Sequence, residues 1–384
     1  MRPRQSRRRG AVAALVGSLL ALSAGQTAGA VRATAATPAT PTAVSVDAAQ
    51  DQAARAIARS LADSGWRARV RHAALTSDEV PVTALAGRAH GGLQATLAAA
   101  DRRIATAKGL DAKVGPLLRL RLGADSMRTA LASGAAPWVA PATSDDHAAT
   151  VVAYDSRGRA HTLDAHHTPA HPVYVVDIDG SKALAAGLDV LDEQFRRYGL
   201  DSAAPAARPR TAPSDRATAA GAGFWTSRVT AVELSDDEEP WVKGDAEIYT
   251  LVTGFGQDGQ VRVDPVDMPY LDNDGTVYRP NQILVNWSNY KYNLADAVMM
   301  EEDGSTNYRD LAKAIATALL TITDQGTYIP LVNAVLDAIP DDWWTDDPDY
   351  VDSWYTLAQS DNGTRYGARG NGWMTVEPYF VQEF

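Results

Sequence analysis

Two acidic segments carry the side chains best suited to bind a metal ion. The first runs from Glu233 to Tyr249 and contains seven carboxylates, and the second is Glu301-Glu302-Asp303. Each adjoins a predicted strand, and we expect strand pairing to bring both to one edge of a sheet. Calcium takes roughly six to eight oxygen ligands, chiefly carboxylates, carbonyls and water. The sequence therefore predicts a calcium site made of Asp236, Asp237, Asp245, Glu247, Glu301, Glu302 and Asp303.

The alternative to this calcium site is a solvated acidic face, because the whole C-terminal part is acidic. Residues 231–384 contain 28 Asp or Glu and 8 Lys or Arg, a net charge of −20. Residues 31–230 have a net charge of +4. Such an acidic half repels the phosphates of nucleic acids and anionic membrane surfaces. Nucleic acid is therefore excluded as its partner.

The N-terminus predicts export from the cell. Five arginines lie within residues 2–9, an apolar stretch follows over residues 11–24, and Ala28-Gly29-Ala30 offers a cleavage site. This is the pattern of a secretory signal peptide, assigned to residues 1–30. Ser6-Arg7-Arg8-Arg9 leaves general and twin-arginine export both open. No other stretch approaches the length of a transmembrane helix.

The sequence contains no cysteine, so the exported protein has no disulfide to stabilise it. Secreted proteins commonly use disulfides for this purpose. A large core, a bound metal or both must replace them here. External calcium is a natural replacement, which agrees with the acidic segments.

Composition and periodicity divide the remaining chain into four parts. Residues 31–46 are predicted to be a disordered leader, and residues 47–200 a small α+β domain. Residues 201–223, rich in Ala, Pro, Arg and Thr, are predicted to be a flexible linker. Residues 224–384 show strand patterns typical of a mainly antiparallel β-sandwich, with inserted helices over 307–339.

Individual elements follow from hydrophobic spacing. In the first domain the spacing predicts helices over 47–63, 93–107, 126–132 and 182–198, a hairpin over 150–163 and a strand over 172–179. In the second it predicts strands over 225–234, 248–255, 260–271, 283–287, 290–300, 353–359 and 373–381, and helices over 307–322 and 328–339.

The C-terminal part resembles a C2-type calcium-binding domain. An acidic loop precedes Gly244-Asp-Ala-Glu-Ile-Tyr249, and Met299-Met-Glu-Glu-Asp-Gly304 stands where that family has its second acidic loop. The resemblance implies a C2-like β-sandwich with calcium at one end. It departs in having glutamates where aspartates are usual and in carrying a helical insertion. Asp272-Asn-Asp-Gly275 is better explained as a tight turn than as an EF-hand loop.

A second resemblance covers a longer stretch of the chain. Asp267-Met-Pro-Tyr-Leu-Asp272 and Tyr278-Arg-Pro-Asn-Gln-Ile-Leu-Val-Asn-Trp287 are similar to phrases of a family of secreted bacterial proteins whose domain has no known function. This resemblance implies a shared fold and no particular activity.

A secreted hydrolase is the alternative from another functional class. Asp177-Ile-Asp179-Gly-Ser181 after a strand resembles the nucleophile motif of haloacid-dehalogenase-type phosphohydrolases, in which one aspartate attacks phosphorus. A strand-to-helix turn capped by Asp179 or Ser181 explains the same residues. The aromatic and acidic cluster around Trp343, Trp344 and Trp354 suits a glycan-cleaving cleft or a covered core.

Two further possibilities concern the N-terminal half. His161, His166, His167 and His171 lie close together in the sequence, as zinc or copper ligands do, although their spacing fits no standard site. Residues 47–200 also suit a pro-region or docking domain released at the linker.

The sequence therefore favours a secreted, non-enzymatic binding protein with an unknown extracellular ligand. A calcium-stabilised, C2-like β-sandwich is its predicted binding part.

Overall fold

The computed structural model describes residues 45–87, 90–143, 148–200, 223–235, 241–243, 246–271, 273–302, 304, 306–339 and 350–382. Its helices are α1 Val46–Ser60, α2 Ser64–Thr76, α3 Val82–Ala86, α4 Gly91–Ala107, α5 Arg128–Ala132, α6 Gly180–Tyr198, α7 Tyr308–Leu319 and α8 Val332–Leu336. Its strands are β1 Glu79–Val80, β2 Leu118–Leu122, β3 Trp138–Pro141, β4 Thr150–Tyr154, β5 Ala160–Asp164, β6 Val173–Ile178, β7 Gly223–Leu234, β8 Glu247–Phe255, β9 Val261–Asp267, β10 Gln282–Asn286, β11 Leu294–Glu302, β12 Tyr350–Ala358, β13 Gly363–Tyr366 and β14 Gly372–Gln382.

Sheet I contains the strands of the N-terminal part, in the order β1-β2-β6-β3-β4-β5. Its paired strands are antiparallel except β3 and β6, which run parallel. Helix α1 packs on this sheet and on α4. The side of α1 that faces them is rich in small buried residues, among them Ala49, Ala53 and Ala54, so the helix approaches closely. The mixed α+β character predicted for this part is confirmed.

Two antiparallel sheets contain the strands of the C-terminal part. Sheet II has the order β10-β7-β14-β13, and sheet III has the order β12-β11-β8-β9. The seven strands that the sequence predicts here all have counterparts within these two sheets, with shifted ends. The short strand β13 was not predicted. Sheets II and III share one hydrophobic core, to which Val232 and Met374 contribute from sheet II and Val252 and Met299 from sheet III.

Sheet III is buried on both faces. In β8 every residue from Ile248 to Phe255 is buried. Successive side chains of a strand point to opposite faces. Tyr249 and Leu251 accordingly join a first core with the helices, whereas Ile248 and Val252 join the second core with sheet II. Covering by helices on one side and by a sheet on the other explains why β8 lacks a polar face.

The first core unites segments from both sides of the predicted linker. It contains Ile57 of α1 and Phe195 of α6 together with Leu251 of β8 and Leu311 of α7. Residues Ala43–Phe384 accordingly form one compact unit. Separate folding of residues 47–200 and 224–384 stays a prediction. The predicted signal peptide lies outside the described residues, as do all but two residues of the leader and all but one of the linker.

Three elements differ from the sequence predictions for identifiable reasons. Helix α2 was not predicted, and it begins where Asp63 caps a new helix by accepting the backbone N–H of Trp66. Strand β2 was also missed, because the arginines that alternate with its leucines resemble those of an exposed segment. The predicted helix over 328–339 is reduced to α8, because Pro330 disfavours a helical conformation at the residue before it. Among the described helices, none is long and apolar enough to cross a membrane.

A buried ion pair fastens α4 to sheet III. Lys108, which follows α4, pairs through its Nζ with Glu302 at the end of β11, and both side chains are almost wholly buried. The Tyr308 hydroxyl donates to the same carboxylate, and Lys108 Nζ also donates to the carbonyl of Gly304 at 3.2 Å. Burying two charges is costly, so such a pair persists where further hydrogen bonds satisfy its atoms.

We expect Lys108→Met to destabilise the protein by about 3–5 kcal/mol, because it leaves the Glu302 carboxylate buried without its cation. The double variant Lys108→Met/Glu302→Gln is expected to recover a large part of that loss. Urea unfolding of the three proteins at neutral pH measures both effects. A double variant no more stable than Lys108→Met would contradict this account of the pair.

A second buried carboxylate, Asp352 of β12, organises the loop between β13 and β14. It accepts the backbone N–H groups of Arg369 at 2.7 Å and of Asn371 and Gly372 at 2.9 Å each. Gly367 lies so close to this carboxylate that an added Cβ would collide with it. One side chain therefore holds the loop by its backbone amides.

Asp352→Ala is expected to lower the free energy of unfolding by about 3 kcal/mol, because several buried amides lose their acceptor together. Asp337→Ala is the matched control, since Asp337 is exposed and its loss is expected to change stability by less than about 0.5 kcal/mol. Chemical denaturation compares the two. Equal stability of both variants would refute the anchoring role of Asp352.

Candidate cation-binding edge

The strands beside the acidic segments end at one edge of the C-terminal part. Glu247, the first residue of β8, is the register partner of Glu302, the last residue of β11. The backbone N–H of Gly275 donates to the carbonyl of Leu234 at 2.8 Å, which brings the turn before Gly275 beside the end of β7. Three acidic stretches of the sequence therefore begin or end close together. We call this region the acidic edge.

A small cavity of about 20 Å³ lies at the acidic edge. Such a volume holds a particle of about the size of a water molecule. Its polar lining comes from Asn273, Asp274 and Glu301. Its apolar lining comes from Leu234, Ala246, Ile248, Leu271 and Val351. The surface of the cavity is mainly apolar, and Asn273, Asp274 and Glu301 are the lining residues whose side chains contain oxygens of the types that calcium prefers.

Strand geometry places Glu301 and Glu302 on opposite faces of sheet III. Met299, two residues before Glu301, belongs to the second core, and Met300, two residues before Glu302, belongs to the first. Because side chains alternate along β11, Glu301 reaches the cavity while Glu302 meets Lys108. The side chains of Glu301 and Glu302 therefore have different surroundings on the two faces of sheet III.

Glu247 lies on the same face as Glu302. Its carboxylate packs against Gly180, the first residue of α6, so closely that an added Cβ there would overlap it. The N-terminus of a helix has a partial positive charge and exposes N–H groups, which favours a neighbouring carboxylate. Glu247 thus has a structural environment of its own, apart from the cavity.

Only three of the seven predicted calcium ligands lie within the described residues. Asp236, Asp237, Asp245 and Asp303 lie outside the described residues. Of the other three, the structure brings Glu247 and Glu302 together and separates Glu301 from them. Within the described ranges, no group of three or more His, Asp or Glu side chains is arranged to hold a metal ion. The seven-residue site stays a prediction.

Asn273 and Asp274 were not predicted as members of this edge. Their sequence predicts a tight turn, and residues 273–275 do form a turn, with Gly275 at a φ of 60°. The signal that could have found them is the Asp272-Asn-Asp-Gly275 motif itself. A turn at the end of a strand can also present oxygens to an ion.

Asp177 and Asp179 are engaged in ion pairs with arginines of β2. Arg121 Nε lies 3.1 Å from Asp177 Oδ2, and Arg119 pairs with Asp179. The other oxygen of Asp179 accepts the backbone N–H of Lys182 at 3.1 Å and caps α6, as the alternative interpretation predicts. A phosphohydrolase nucleophile needs a carboxylate open to substrate and metal. The observed arrangement favours a structural role.

The surroundings of this pair also affect Glu79 of β1. Partial burial raises the pKa of Glu79, and the nearby carboxylates of Asp179 and Asp177 raise it further. The arginines oppose this effect by stabilising the charged form. Glu79 belongs to the same network, because its Oε2 lies 4.0 Å from Arg119 Nε.

The histidines are placed around an aromatic ring. Trp138 of β3 stacks on His161 with centroids 4.0 Å apart and contacts His171 at 4.2 Å. Burial lowers the pKa of His171. His167 Nδ1 lies 3.0 Å from Asp164 Oδ2 on the surface. The zinc or copper site considered from the sequence gains no support from the described residues.

The C-terminal aromatic and acidic cluster is described only in part, since Trp343 and Trp344 lie outside the described residues. Trp354 is buried in the second core, and its Nε1 donates to the carbonyl of Arg365 at 3.1 Å. Asp352 is the loop anchor described above. Both residues therefore have structural roles, Trp354 in the core and Asp352 in holding the loop, as the covered-core interpretation predicts.

Comparison with known proteins gives a family without an assigned activity. The family model described as "Protein of unknown function (DUF3103)" matches residues 52–384. Comparison with the curated proteins and with the solved structures returned no match. The matched range includes α2 through β14 and hence all three sheets. The chain belongs to the DUF3103 family.

Proposed function

We propose that this chain is a secreted binding protein whose C-terminal part is a C2-like β-sandwich stabilised by calcium at the acidic edge. The observation that carries the proposal is the convergence there of Glu301, Asp274 and Asn273 around one small cavity. The ends of β7, β8 and β11, which adjoin the acidic stretches of the sequence, lie at the same place.

The refined site differs from the set predicted by sequence. Glu301, Asp274 and Asn273 would supply ligands from the described residues, and Asp236, Asp237, Asp245 and Asp303, which lie outside them, stay candidates from the sequence. Glu302 and Glu247 would act from the opposite face, as structural groups. This division follows from the alternation of side chains along β11 and from the ion pair of Glu302 with Lys108.

Electrostatics supports a cation at this edge. Residues 231–384 have a net charge of −20, and residues 233–249 and 301–303 contain ten of the 28 Asp and Glu of that part. Like charges brought together raise the cost of folding unless a cation or protons compensate them. The chain has no disulfide to offset that cost. A bound divalent cation would relieve the repulsion and stabilise the folded state by mass action.

The first test is the thermal stability of the mature chain with and without calcium. Saturation at about a hundred times the dissociation constant adds about 2.7 kcal/mol of stability. The midpoint of melting is therefore expected to be higher by several degrees in calcium than in a chelator, and magnesium is expected to give a smaller shift because it demands a stricter geometry. Identical melting midpoints in calcium and in chelator would contradict the proposed calcium site.

A pair of variants tests which glutamate belongs to the site. Glu301→Gln is expected to abolish most of the calcium-dependent shift with little change in the melting of the calcium-free protein. Glu302→Gln is expected to lower the midpoint under both conditions, because it weakens the buried pair with Lys108, and to preserve the shift. Differential scanning calorimetry separates the two patterns. The reverse pattern would assign the ion to the other face of sheet III.

A further inference from the structure

Sheet II has one face in the second core and an opposite face on which no described α-helix packs extensively. One face of this sheet supplies Val229, Val232, Met374 and Val376 to the second core. None of the described α-helices packs extensively against the sheet. We use the name outer face for the opposite side, which is formed by β7, β14, β13 and β10.

Aromatic and polar side chains form a row at one end of the outer face. The strand register places Tyr366 beside Trp373, and Trp373 beside Glu233. Tyr366 is 77% exposed, the highest value among the large hydrophobic side chains of the described residues. The indole Nε1 of Trp373 donates to the Glu233 carboxylate, which fixes the orientation of the ring.

Polar and aromatic side chains also occupy the middle and the other end of the outer face. Thr364 and Thr375 are register partners whose hydroxyl oxygens lie 3.1 Å apart. Further along, Arg228 Nε donates to Glu377 Oε1 at 3.0 Å. The guanidinium of Arg228 also lies 4.1 Å from the centroid of the Tyr379 ring. Every charged group named on this face is paired, so the face has no large excess of charge.

The aromatic side chains are spaced along β14. Trp373 and Tyr379 are six residues apart on the same strand and on the same side of the sheet. With a rise of about 3.3 Å per residue, their Cα atoms are separated by about 20 Å. That distance accommodates several sugar rings of an extended chain. The hydroxyl groups of the threonines and the paired charges lie between the two aromatic ends.

We propose that the outer face binds an extended, neutral polysaccharide. Sugar rings combine apolar C–H faces, which stack on fixed aromatic rings, with hydroxyl groups that exchange hydrogen bonds with carboxylates, guanidinium groups and hydroxyls. An apolar protein partner would instead favour a continuous hydrophobic patch. The acidic charge of residues 231–384 disfavours an anionic polysaccharide. The inference rests on the proposed binding function and adds the class of ligand.

Pre-organisation supports this site. Trp373, Arg228 and Tyr379 are held by partners within the protein, so binding would restrict few additional side-chain rotations. Tyr366 is the exposed member of the aromatic row, and its ring has space on its outward side. It is therefore the residue whose removal is expected to affect binding most and folding least.

The test is affinity electrophoresis of the mature full chain in native gels that contain mixed-linkage β-glucan, arabinoxylan or, as an anionic comparison, polygalacturonate. At least one neutral polysaccharide is expected to retard the protein, and polygalacturonate is expected to have no such effect. Tyr366→Ala is expected to weaken binding by about tenfold or more, whereas Tyr366→Phe retains the ring and should retain binding. Tyr198→Ala, which removes an exposed tyrosine at the end of α6, is the matched control.

Three outcomes would overturn the inference: no retardation in either neutral gel, retardation by polygalacturonate alone, or equal retardation of wild type and Tyr366→Ala. Melting in calcium and chelator separates this failure from failure of the proposed function. A protein that shows the calcium shift but no retardation retains the calcium site and loses the polysaccharide site. Retardation without a calcium shift, sensitive to Tyr366→Ala, supports the outer face and removes the calcium site.

Discussion

The pairing of β8 with β11 is the constraint on which the other contacts of the C-terminal part depend. Both strands are buried on both faces, so each supplies side chains to two different cores. The register of Glu247 with Glu302 directs Tyr249 and Met300 toward the helices, and Ile248 and Met299 toward sheet II. A slip of one residue would exchange the contents of the two cores, and this makes the register strongly specified.

The same alternation decides what the acidic residues at the strand ends can do. Glu302 continues the side of β11 that faces the helices, where Lys108 and Tyr308 satisfy its carboxylate. Glu301 continues the side that faces sheet II and lines the cavity at the acidic edge. Two adjacent glutamates thus have different surroundings: Glu302 is enclosed and ion-paired, whereas Glu301 lies at a small cavity with a mainly apolar surface. In a chain without disulfides, the buried pair also joins segments far apart in the sequence.

Local periodicity predicted much of this fold, while the associations between distant segments were beyond it. The long helices α4, α6 and α7 and the strands of sheets II and III have hydrophobic spacing that a single segment reveals. Strand β2 was missed, because Arg119 and Arg121 look like surface residues until their partners are known, which are Asp177 on β6 and Asp179 at the start of α6. The acidic edge was expected from strand pairing. The separation of Glu301 from Glu302 follows from the alternation of side chains along a strand, because adjacent residues point to opposite faces of the sheet.

The two proposed sites are neighbours on β7. Glu233 holds the indole of Trp373 on the outer face, whereas the next residue, Leu234, lines the cavity at the acidic edge. Because consecutive residues of a strand point to opposite faces, β7 contributes to both sites without either blocking the other. An interaction that fixes the end of β7 also fixes the position of Glu233. Glu233 in turn orients the indole ring of Trp373. A cation at the edge would thus stabilise the ends of these strands and, through Glu233, the position of Trp373. Strands β8 and β11, which are buried on both faces, share the second core with sheet II.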